Sequence, residues 1–76
     1  MTLDSLEPGQ VYIIDDVDTT DPLIQRLMVL GLVEGTEIEL TSSAIGGDPL
    51  EFRMHGNAIS LRREQARHFR VSLLAS

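Results

Sequence analysis

Cysteine and tryptophan are absent from the 76 residues, and lysine is missing too, all six basic side chains being arginine. Without cysteine the chain has no disulfides, no thiolate zinc site, no iron–sulfur cluster and no thiol nucleophile. Without lysine it has neither a Schiff-base amine nor the phosphate-binding lysine of a P-loop. One tyrosine and two phenylalanines are too few to build the stacking platforms that hold single-stranded nucleic acid. No run approaches the ~20 apolar residues of a membrane span, and the opening MTLDSLEPGQ lacks the basic and apolar regions of a signal peptide. The expectation is a cytoplasmic protein.

What is present suits a single domain over residues 1–76. A chain this short buries only roughly 60% of its unfolded surface, which leaves little room for a deep catalytic cleft. The net charge of −6 is unevenly spread: residues 1–52 hold eleven acids and one arginine, residues 53–76 five arginines and one acid. That split predicts a molecule with two electrical sides, and the acidic total disfavours a nucleic-acid partner.

Read for periodicity, VYIIDDV (11–17) is a strand, with Val11, Ile13 and Val17 on one side. Asp21 is a helix cap, Pro22 suits the first helical position and Gly31 the left-handed residue after the end, predicting a helix over residues 22–30. Beyond it the period changes to two. TEIELTS (36–42), LEFRMH (50–55), AISLR (58–62) and FRVSLL (69–74) read as strands, with RREQARH as one helical turn before the last. Gly46 to Pro49 makes one turn, and Gly56-Asn57 is expected to supply the positive φ of a tight hairpin. The fold class is therefore a mainly β small barrel of about five short antiparallel strands with one short helix after the first. Closure would remove its unpaired edges.

Most catalytic chemistry fails on spacing. Asp16 and Asp18 begin like a calcium loop, but Asp21 stands where glycine is required and Leu27 where the bidentate glutamate is required. His55 and His68 are thirteen positions apart with no metal-ligand relation between them, no serine lies in a G-x-S-x-G context, and Ser42-Ser43 has no neighbouring base. Neither an enzyme nor a cofactor-binding protein is expected. The unusual feature is the helix, where Leu23, Ile24, Leu27, Met28, Val29 and Leu30 cover more than one core contact requires. The cluster Arg62, Arg63, Arg67 and Arg70 is a second candidate surface, because arginine grips carboxylates and phosphates through paired hydrogen bonds.

The order Arg26-Leu27, Leu30-Gly31-Leu32, Gly35-Thr36, Gly47-Asp48-Pro49, Gly56, Ile59, Leu61-Arg62, Ala66 and Val71 resembles the FeoA family of small proteins associated with bacterial ferrous-iron uptake. One departure is Glu34, where that family commonly has proline. The resemblance implies an SH3-like barrel without enzymatic activity, binding the cytoplasmic domain of the FeoB-type membrane iron transporter. On that reading the expected partner-binding residues are Leu23, Arg26, Leu27 and Leu30, with Arg62 and Arg63 as a secondary patch. The competing reading is a metal-binding or metal-sensing domain, related to the C-terminal domain of DtxR-type repressors. It would use His55 with Asp48, Glu51 or His68. Oligomeric state is left open.

Overall fold

The computed structural model describes residues 1–74. After a 3-10 turn at Leu3–Ser5 the elements are β1 (Val11–Val17), α1 (Pro22–Val29), β2 (Glu37–Ser43), β3 (Leu50–Met54), β4 (Asn57–Leu61), α2 (Arg63–Ala66) and β5 (Phe69–Leu73). The strands form one antiparallel sheet in the order β4-β3-β2-β1-β5. Two register shifts, at Ile14/Asp16 against β5 and Leu40/Ser42 against β3, sharpen the bend. The core within the curl holds Phe52, Phe69, Leu3, Ile14 and Ile38, all essentially without exposure.

The phase of β1 differs from its sequence pattern. Tyr12 and Ile14 are buried while Val11 is exposed, so the core side carries the even positions. The bulge then resets the alternation, which is how Val17 also reaches the core. Alternation alone could not reveal this, since VYII is apolar on both faces.

The hydrogen-bonded ladder does not close. Instead of β4 pairing with β5, the single turn of α2 bridges them and buries Ala66 against the core. The expected removal of both edges is therefore only half achieved. At the β5 edge Thr2 bridges to Arg70, and Val71 donates its N–H to the Met1 carbonyl. Among the described residues β4 pairs only with β3.

The cap of α1 is as the sequence indicates. Asp21 Oδ1 accepts from the Leu23 N–H at 2.9 Å, and Pro22 occupies the first turn, where its missing N–H costs nothing. At the other end Gly31, at φ +110°, donates to Met28 and Leu32 to Leu27, the paired bonds of a Schellman ending. Leu32 is fully buried there against the half-buried Leu27. Asp21→Ala should lower stability by about 1 kcal/mol, measurable by urea denaturation. A change below a few tenths would mean the cap is replaced by water.

The two electrical sides do not exist in three dimensions. Folding lays the basic C-terminal third against the acidic remainder: across paired strands Arg70 meets Asp16 at 3.3 Å and Arg53 meets Glu39 at 3.0 Å, and at the end of α2 Arg67 meets Asp4 of the N-terminal turn at 3.2 Å. Segregation along the chain becomes interleaving across strands. Partial burial pushes the Asp4 carboxyl up, but hydrogen bonds from Thr2 and Arg67 outweigh it and hold the group below its ordinary range. A carboxylate lowered on folding contributes stability that is present above the unfolded value, near pH 4, and is lost as pH falls through the folded one. Asp4→Asn should accordingly flatten the loss of stability below about pH 4, read by thermal unfolding at stepped pH.

Candidate protein-docking surface

The helix places its apolar residues in three environments. Ile24 is buried, Leu27 and Met28 are half-buried, and Leu23, Leu30 and Val29 stand 42%, 63% and 87% exposed. The apolar surplus is thus not taken up by the core or the following loop. It faces solvent, which is where a partner would cover it.

Two grooves lie between α1 and the β4–α2 segment. At the N-terminal end of the helix, Leu23 and Ile24 face Arg62, Gln65 and His68 across about 130 Å³. At the other end Leu30 faces Met54, His55, Ala58 and Ile59 across about 230 Å³. Together the two grooves, which share no lining residue, form a discontinuous trough beside α1 with the half-buried Leu27 between its parts. Leu23 and Arg62, singled out separately in the sequence, meet in one groove, and Leu30 holds the other.

The arginines divide by role. Arg63 is an internal fastener: its Nε donates to the Gly47 carbonyl, its Nη1 to the Asp4 carbonyl at 2.9 Å, and its backbone N–H to Asp48 Oδ1 at 3.0 Å. It joins the N-terminal turn, the β2–β3 turn and α2, so its guanidinium is not available as the expected surface patch. Gly47, at φ +82°, lets the fork approach, since a Cβ there would lie 3.2 Å from Arg63 Nη2. Arg67 and Arg70 are held in ion pairs. Among the described residues Arg26 and Arg62 are the exposed arginines whose guanidinium groups make no hydrogen bond or ion pair. Arg62 engages only through its backbone: its N–H donates to Gln65 Oε1 at 2.9 Å, and its carbonyl accepts from the Ala66 N–H at 3.0 Å.

The histidines are not brought to a common site. His55 and Gly56, at φ +53° and +78°, are the two central residues of the β3–β4 hairpin, and Met54 pairs with Asn57 beside them. The positive-φ pair is one residue earlier than Gly56-Asn57, because the register places Asn57 in the strand. The imidazole lies over the end of α1, with Cδ2 3.4 Å from where a Gly31 Cβ would stand. Its proposed co-ligands are elsewhere: Asp48 accepts from Arg63, Glu51 from Ser60, and His68 sits by Asp18 with 3.7 Å between Nδ1 and Oδ2. No group of three His, Asp or Glu side chains with metal-holding geometry occurs among the described residues. The acids from the end of β1 to the start of α1 are likewise engaged: Asp15 accepts from the Ser72 hydroxyl, Asp16 pairs with Arg70, Asp18 accepts from both the backbone and hydroxyl of Thr20, and Asp21 caps α1. The Thr20 bonds, backbone first, hold the Asp18 carboxyl below its ordinary range.

No helix among the described residues is long and apolar enough to cross a membrane. Comparison with known proteins gives a consistent answer. The chain is 32% identical over 76 residues to an Fe(2+) transport protein A/Fe(2+) transporter FeoB fusion protein of Porphyromonas gingivalis, matching all of this chain but only 9% of that one. It superposes on iron(II) transport protein A of Clostridium thermocellum with a TM-score of 0.91 at 31% identity, covering 97% of this chain and 46% of the other. It also superposes on FeoA of Stenotrophomonas maltophilia, a prokaryotic SH3 domain protein solved in complex with zinc, with a TM-score of 0.79 at 28% identity and coverages of 95% and 89%. The FeoA domain model matches residues 1–73, the fold is SH3-like, and the chain belongs to the FeoA family.

Proposed function

We propose that this chain is a non-enzymatic accessory of ferrous iron uptake that docks, on the cytoplasmic side, onto a FeoB-type transporter. The observation that carries the reading is the pair of exposed apolar side chains Leu23 and Leu30 on α1, with the half-buried Leu27 between them, in a family whose relative in Porphyromonas gingivalis is joined covalently to such a transporter. Leu23 and Leu30 are the apolar anchors, Leu27 lies between them, and Arg62 and Arg26 are the free cationic groups beside or on the same helix. Arg63 acts indirectly, by holding α2 so that Arg62 is presented.

Regulation or assembly is the role in view, since the residues offer complementarity rather than chemistry. Titration of the purified protein into the cytoplasmic domain of the transporter, with ferrous uptake measured in a deletion strain, tests the reading. Saturable binding together with impaired uptake supports it; absence of both would overturn it. The metal-sensing alternative has the zinc complex of the Stenotrophomonas relative in its favour. In this chain, however, His55 is parted from Asp48, Glu51 and His68, so calorimetry with ferrous and zinc ions should show no saturable site that His55→Ala removes.

A further inference from the structure

The sheet has two edges, and the chain treats them differently. β5 is covered by Met1 and Thr2 and carries Arg70 as its second residue. β4, with the sequence NAISL, is the one strand of the five without a charged residue. Its pairing register with β3 is Met54↔Asn57, Phe52↔Ile59 and Leu50↔Leu61, alternating with Arg53↔Ala58 and Glu51↔Ser60. Because the hairpin loop has two residues, Met54–Asn57 is the hydrogen-bonded pair next to the turn, and bonding then alternates. Asn57, Ile59 and Leu61 thus turn their backbone groups toward β3. Ala58 and Ser60 turn theirs away, and both residues are exposed. Among the described residues nothing receives the N–H groups of Ala58 or Ser60.

An edge with free donors and acceptors, no charge and no covering segment is the template for strand addition. Ile59 and Leu30 share the groove beside it, so one side chain of an added strand would enter an apolar site already formed. The groove at the other end of α1 is lined by Arg62, whose guanidinium is free; Asp21, also there, is occupied in capping α1, His68 sits by Asp18, and Glu64 is the remaining charge. We propose that the partner is captured as an extended segment which adds to β4 between that strand and α1. The segment bonds to Ala58 and Ser60, places an apolar residue beside Ile59 and Leu30 and apolar residues at alternate positions, and offers a carboxylate to Arg62. This deepens the docking function proposed above and rests on it.

Amide hydrogen exchange on the full chain, free and saturated with the purified cytoplasmic domain of the transporter, reads the backbone directly. The expected result is selective slowing, by tenfold or more, at Ala58 and Ser60 on complex formation. Ser60→Pro, which deletes one outward N–H, should weaken binding by tenfold or more, whereas Ser60→Ala, which keeps it, should not. Arg62→Glu should weaken binding several-fold. Exchange of the wild type stands on its own should Ser60→Pro fail to fold. Binding with unchanged exchange at Ala58 and Ser60 overturns strand addition while leaving docking intact. No binding at all overturns both. Slowing at these amides that grows with the concentration of the free protein would identify a second copy as the occupant, and also overturns the proposal.

Discussion

Arg63→Ala should lower the unfolding free energy by about 3 kcal/mol, the sum expected for two partly buried hydrogen bonds from a charged donor. The guanidinium serves the carbonyls of Gly47 and Asp4, two segments that no strand ladder joins to α2. Truncation leaves both carbonyls short of a donor and opens the space beside Gly47. A domain of this size has of order 4–11 kcal/mol to lose, so the variant should unfold at a clearly lower urea concentration. Arg63→Lys should recover less than half, because a single ammonium cannot reach both carbonyls in the fixed fork geometry of arginine. A loss under about 1 kcal/mol in the alanine variant would show that burial of Leu3 and the bonds of Met1, Thr2 and Asp4 to the C-terminal segment hold the N-terminal turn without Arg63.

Leu30→Gln should separate docking from folding. The residue is 63% exposed at the C-cap of α1, so stability should change by no more than about 0.5 kcal/mol. A central apolar anchor is worth ~2 kcal/mol or more at a protein interface, about thirtyfold in affinity. Titration against the cytoplasmic domain of the transporter should show that loss. Ile45→Gln is the matched control, since Ile45 is fully exposed on the β2–β3 loop, away from the trough. Equal effects of the two substitutions would place the docking surface elsewhere.

The parts of this molecule that were legible in the sequence are those fixed by neighbours along the chain. Asp21, Pro22 and Gly31 bracket α1 because capping and left-handed backbone are local requirements. The alternation of Ile38 and Leu40 marks β2 for the same reason. What escaped was decided across the sheet. VYII has apolar residues on both faces, so the bulge near Asp15 and the inward phase of Tyr12 and Ile14 appear only once β5 and β2 are in register. The hairpin residues were displaced by one because the pairing of Met54 with Asn57 sets the loop. The arginine cluster looked like a patch because its partners, Asp4, Asp16 and Gly47, are far away in sequence. Leu23, Leu30 and Arg62 could be singled out from composition and spacing alone, whereas the grooves they line beside α1 could not.

The bond from Val71 to the Met1 carbonyl has an architectural meaning. It sets the start of the chain beside its last strand, so a polypeptide joined ahead of residue 1 or after the final strand would depart from the same margin of the sheet. That margin is the β5 edge. The β4 edge would stay clear in either arrangement, so the strand addition proposed there is open to a tethered module and to a separate molecule alike.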